Sequence, residues 1–113
     1  MILVTGANGF IGNSLYKTLI SLNRKVTGSV RSNRHTFEST NLNKILVDNI
    51  DDTTDWSNVL LGCKTVIHCA SKNNFIREGD ELSHFRTVNT FGTKKLAEQC
   101  AKIGVKRFIF LSS

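Results

Sequence analysis

The chain lacks the features that mark several functional classes. No apolar run approaches the roughly 20 residues that span a bilayer, so no membrane-crossing helix is expected. Met1-Ile2-Leu3-Val4 opens the chain without a basic leader, which argues against a cleaved signal peptide and for a cytoplasmic protein. The three cysteines, Cys63, Cys69 and Cys100, are odd in number and lack the close pairing of a zinc site, so they read as buried, reduced thiols and no metal site is expected. A net charge of +6 invites a nucleic-acid reading, yet the fifteen basic residues are scattered and no aromatic-basic stripe accompanies them. Most of them read as solvated surface. No repeat, low-complexity tract or interdomain linker divides the 113 residues, which are enough for one domain with its own core.

What is present is an alternation of apolar runs with segments of helical period, the pattern of βαβ units on a parallel sheet. Strands are expected at Ile2–Val4, Lys25–Val30, Lys44–Val47, Lys64–His68 and Arg107–Leu111. The first helix carries Ile11, Leu15, Leu19 and Leu22 as its inward stripe. A second helix, capped by Thr53 or Thr54 with Asp55 in its first turn, carries Trp56, Val59 and Leu60 inward and ends at Gly62. The longest helix runs from about Glu81 to Ile103 on a core face of Phe85, Val88, Gly92, Leu96, Cys100 and Ile103, with Gly104 closing it. The segments 32–43 and 71–79 read as polar loops. Right-handed crossovers give an α/β fold with a doubly wound sheet, most simply in the order 3-2-1-4-5.

The strongest local signal is Thr5-Gly6-Ala7-Asn8-Gly9-Phe10-Ile11-Gly12, which follows a strand and opens an amphipathic helix. Gly6 permits the tight turn off the strand, Gly9 lets backbone approach a pyrophosphate, and Gly12 lets the helix pack close to the sheet. Amides at the helix start, with the helix dipole, form an anion site. A Walker-type phosphate loop is excluded, because no Gly-Lys-Ser/Thr follows. An acidic residue at the end of strand two would take the ribose 2′-OH of NAD, but Val30 and Arg31 stand there and no Asp or Glu precedes Glu38. A guanidinium suits a 2′-phosphate, so Arg31, assisted by Ser32 and Arg34, predicts NADP in preference to NAD.

Thr-Gly-x-x-Gly-x-x-Gly at the N-terminus resembles the short-chain dehydrogenase/reductase superfamily. The ending Gly9-Phe10-Ile11-Gly12 resembles its extended branch, the NAD(P)-dependent epimerase/dehydratase family. Three later segments match that branch in order: Val66-Ile67-His68-Cys69-Ala70-Ser71, Val88-Asn89-Thr90-Phe91-Gly92-Thr93 and Val105 through Ser113. The resemblance covers essentially the whole chain. It implies that residues 1–113 form the cofactor-binding Rossmann domain of a longer enzyme. Gly6, Gly9, Phe10 and Ile11 would line the pyrophosphate. Asn49 and Ile50 match an Asp-Ile or Asp-Leu pair that faces adenine, with Asn in place of Asp. Ala70 and Ser71 match small residues beside the nicotinamide ribose, and Asn89 matches a helix asparagine near the active site.

The same resemblance implies catalysis by a Tyr-x-x-x-Lys pair and a serine that hydrogen-bonds the reacting oxygen. The single tyrosine, Tyr16, is followed four residues later by Ile20 and lies on the first helix, so it is not the catalytic tyrosine. Ser113 falls at the serine's place, as the last residue, so the chain is expected to be a fragment whose Tyr-x-x-x-Lys lies further on, inactive by itself. His68 reads as structural and His84 is assigned no catalysis. The implied activity is that of an epimerase, dehydratase or 4-keto reductase on a nucleotide-activated sugar. A dihydroflavonol-reductase-like carbonyl reductase and a non-catalytic NADP(H)-sensing protein remain open alternatives. Relatives of this kind often pair through helices flanking strands four and five, so a homodimer is an expectation too.

Overall fold

The computed structural model describes residues 1–31, 44–47, 50–70 and 90–111. Five strands form one sheet: β1 (Ile2–Thr5), β2 (Val26–Val30), β3 (Lys44–Leu46), β4 (Thr65–His68) and β5 (Arg107–Phe110). Their order is β3-β2-β1-β4-β5, every pair is parallel, and β1 is central as expected. Two helices are described, α1 (Phe10–Ser21) between β1 and β2, and α2 (Gly92–Ile103) before β5. No helix among the described residues is long and apolar enough to cross a membrane.

Side chains alternate across a strand, so β1 feeds two cores. Val4 joins Ala7, Tyr16, Val26 and Val30 on the α1 side. Leu3 joins Trp56, Leu60, Cys63, Val66, Leu96 and Cys100 on the α2 side. All five residues of β2 are buried. Cys63 and Cys100 are free, buried thiols, and burial pushes the Cys100 thiol up to about 11, with Cys63 adding to the shift.

The inward stripe of α1 differs from the expected one. Ile11 is 59% exposed and Leu22, one residue past the helix, is 62% exposed. Gly12 and Tyr16 are the buried residues, with Leu15, Leu19 and Ile20 packed at their flanks. The reason is close backbone packing. Gly12 sits against Gly6 and Ala7, so it, and not Ile11, faces the sheet. Tyr16 then lies over Gly28 of β2, where an added Cβ would stand 3.2 Å from its ring. Lys44 of β3 covers that ring at 4.9 Å.

The expected helix after Thr53 is a series of turns instead. One helical bond forms, from Leu60 N to Trp56 O at 2.9 Å, and Gly62 at φ +76° ends the segment. Trp56 and Leu60 are buried as expected, with Val59 packed beside them. The capping acceptor is Asp51, whose Oδ1 takes the Thr53 amide at 2.8 Å, while Asp55 takes the Ser57 amide at 2.9 Å. Short-range bonds of this kind compete with a helical ladder. On α2, Gly92, Leu96 and Cys100 are buried, but Ile103 is 41% exposed in the last turn. Gly104 closes the helix at φ +95°, and its amide and that of Val105 both reach Cys100 O. Phe85 and Val88 lie outside the described residues.

One side chain holds the turn segment to α2. Gln99 accepts from the Trp56 amide at 2.7 Å and donates to the Thr54 carbonyl at 2.7 Å. Replacing Gln99 with leucine removes both of these partly buried side-chain bonds. The expected loss is about 2 kcal/mol, read by urea unfolding. An unchanged midpoint would show that the clamp contributes nothing.

Candidate dinucleotide site

The site is built where β1 runs into α1. Gly6 leaves the strand at φ +64°, a conformation that favours glycine, and a Cβ there would stand 2.7 Å from Ala70 Cα. The Ala7 amide donates to Ser29 O at 3.0 Å, which ties the loop to β2. The Gly9 amide donates to Gly6 O at 2.9 Å and tightens the turn. The first bond of the α1 ladder runs from Asn13 N to Gly9 O at 2.9 Å, so the amides of Phe10, Ile11 and Gly12 precede it.

Gly9 caps α1 with no side-chain hydrogen bond, and no acidic residue occupies the first turn. An amide-rich helix start without a carboxylate suits an anion, and the helix dipole adds to the attraction. The backbone at Gly9, φ −70° and ψ 169°, is open to any residue. Among the described residues, an added Cβ would meet only the Gly6 carbonyl at 3.3 Å. A ligand pressed against the backbone gives a reason for glycine here that conformation does not. Phe10, at 96% exposure, and Ile11 flank this mouth. The residues therefore fit the diphosphate of a dinucleotide.

Around the mouth, the carboxyl ends of the central strands supply the other expected residues. Arg31 follows Val30 at the end of β2 and is exposed. Ile50 is half-buried against the start of α2, where a Cβ at Gly92 would stand 2.9 Å from its Cγ2. Ala70 lies after β4, in contact distance of Gly6. Asn49, Ser71, Asn89 and Ser113, as well as Ser32, Arg34 and His84, lie outside the described residues.

Tyr16 is 2% exposed on α1, and burial raises its phenol above the ordinary value. His68 is also buried, and loss of solvent pushes its imidazole down to about 4. Two threonines with no role assigned from sequence join it. Thr5 Oγ1 is 2.7 Å from His68 Nδ1, and Thr93 Oγ1 is 3.0 Å from Nε2. Both threonines stand inside the quoted motifs, and only the strand register shows that they meet one imidazole.

Comparison with known proteins agrees with this geometry. The chain is 37% identical over 114 residues to a UDP-glucose 4-epimerase of Vibrio cholerae, covering 99% of this chain and 34% of that protein. A short-chain dehydrogenase/reductase superfamily protein from Agrobacterium tumefaciens, solved with bound NAD, superposes with a TM-score of 0.82 at 28% identity, over 100% of this chain and 32% of that one. MoeE5, solved with UDP-glucose and NAD, gives 0.81 at 28% identity, over 99% and 36%. The chain thus spans about a third of the length of such relatives. With residues 2–113 matching the NAD dependent epimerase/dehydratase family across its sheet, glycine loop and strand-four loop, the chain belongs to that family.

Proposed function

We propose that the chain is the cofactor-binding part of an enzyme that acts on a nucleotide-activated sugar as epimerase, dehydratase or 4-keto reductase. The observation that carries this reading is the uncapped, carboxylate-free start of α1 at the carboxyl end of β1. A nicotinamide dinucleotide bound there supplies a hydride acceptor or donor. The chain's own contribution is binding and orientation. Amides at the start of α1 would hold the diphosphate, Asn49 and Ile50 would border adenine, and Ala70, Ser71 and Asn89 would border the nicotinamide end. Ser113, at the place of the family's serine, would hydrogen-bond the reacting oxygen. Tyr16 and His68 are enclosed in the core and take no proton from substrate.

NADP is the preferred cofactor in this reading, because exposed Arg31 directly follows β2 where a carboxylate would favour NAD. Replacing Arg31 with alanine is expected to weaken NADP+ binding roughly tenfold and leave NAD+ binding unchanged. Calorimetric titration of both dinucleotides reads the difference, and equal losses for both would end the NADP preference. The substrate class is tested on the full-length protein, with UDP-sugars and their 4-keto derivatives and the absorbance of reduced nicotinamide as readout. Activity on small carbonyl compounds alone would instead favour a carbonyl reductase, which Val30-Arg31 also suits.

A further inference from the structure

Hydroxyl and imidazole groups at the ends of β1 and β4 form a chain whose proton order follows from counting. A threonine hydroxyl has one proton and two acceptor lone pairs. Thr5 Oγ1 accepts from the amides of Cys69 at 3.0 Å and Ala70 at 3.1 Å, which uses both lone pairs. Its proton is left for His68 Nδ1 at 2.7 Å. Nδ1 is therefore the bare nitrogen. A neutral imidazole then carries its proton on Nε2 and donates it to Thr93 Oγ1 at 3.0 Å.

The fold fixes the ring that makes these bonds. Thr5, His68 and Phe110 are register partners across β1, β4 and β5. The rings of Phe108 and Phe110 stand 6.2 and 6.1 Å from the imidazole. Thr93 brings in the first turn of α2. At the other end of the chain are the two amides of the segment that passes over Gly6.

We propose that His68 is a positioning residue of the dinucleotide site. By accepting the Thr5 proton at Nδ1, it turns both Thr5 lone pairs toward the Cys69 and Ala70 amides and holds Cys69 and Ala70 against the glycine loop. The role rests on the cofactor reading given above. His68 touches neither cofactor nor substrate.

Nitrogen-15 NMR of histidine in the full-length protein tests the proton order directly. The Nε2–H tautomer is expected, and an Nδ1–H tautomer overturns the proposal even if every variant fails to fold. Dinucleotide titrations of H68L and T5V are expected to show roughly tenfold weaker binding each. The double variant binds no worse than T5V, since both changes act through one bond. H68N, whose Oδ1 can stand in for Nδ1 as acceptor, recovers most of the affinity. Wild-type affinity in H68L, or losses that add in the double variant, overturns the role. If the wild-type protein binds neither dinucleotide, the cofactor reading fails and the role goes with it. That outcome is distinct from one in which wild type and H68L bind equally.

Discussion

Replacing Gly12 with valine is expected to lower stability by about 3 kcal/mol and to abolish measurable dinucleotide binding. A Cβ at this position would run into the Gly6 carbonyl and come within 3.3 Å of Ala7 Cα. Both are backbone atoms of the turn, so relief requires α1 to lift from the sheet. Lifting moves the amides of Phe10 and Ile11 away from the carboxyl end of β1 and opens the contact of Tyr16 with Gly28. Gly9→Ala is the matched control. Among the described residues its methyl group meets only the Gly6 carbonyl at 3.3 Å, so the fold survives with a small adjustment while the surface offered to a diphosphate changes. Urea unfolding and calorimetric titration of the two variants separate the effects. A stable Gly12→Val protein that binds normally would contradict the close packing, and normal binding by Gly9→Ala would place the diphosphate elsewhere.

Acid is expected to destabilise the protein by about 3 kcal/mol through His68 alone. In the unfolded chain its imidazole takes up a proton near the ordinary value of 6.5. In the fold, burial delays uptake to about 4. Among the described residues, the groups recorded against the ring are Thr5, Thr93, Phe108 and Phe110, none of which carries a charge. Between these values the unfolded state binds the extra proton. The contribution is therefore complete above 6.5, declines as pH falls, and is gone once pH passes below about 4. Unfolding free energies measured across this window, for the wild type and for H68N, isolate the histidine from the carboxylates. The same slope in both proteins would remove His68 as its source.

The sheet and the glycine loop were legible because their signals are local. Short apolar runs and punctuation by glycine placed all five strands and gave the observed order. Three features escaped for physical reasons. Trp56, Val59 and Leu60 have helical spacing, but over barely one turn, where Asp51 and Asp55 bond nearby amides and Gly62 reverses the backbone. Ile11 looks like a core residue by spacing alone, and only the approach of Gly12 to Gly6 turns it outward. The contacts of Gln99 with Thr54 and Trp56, and of His68 with Thr5 and Thr93, join residues far apart in the chain. They depend on strand register and helix placement, which no local pattern encodes.

Within these 113 residues, the two-sided core also places one optical reporter in each layer. The chain has one tyrosine and one tryptophan, and the sheet divides them, with Tyr16 beneath α1 and Trp56 beneath α2. Emission from each ring follows the melting of its own layer. Coincident curves mean that the sheet transmits cooperativity from one side to the other, whereas separated curves identify which layer lets go first.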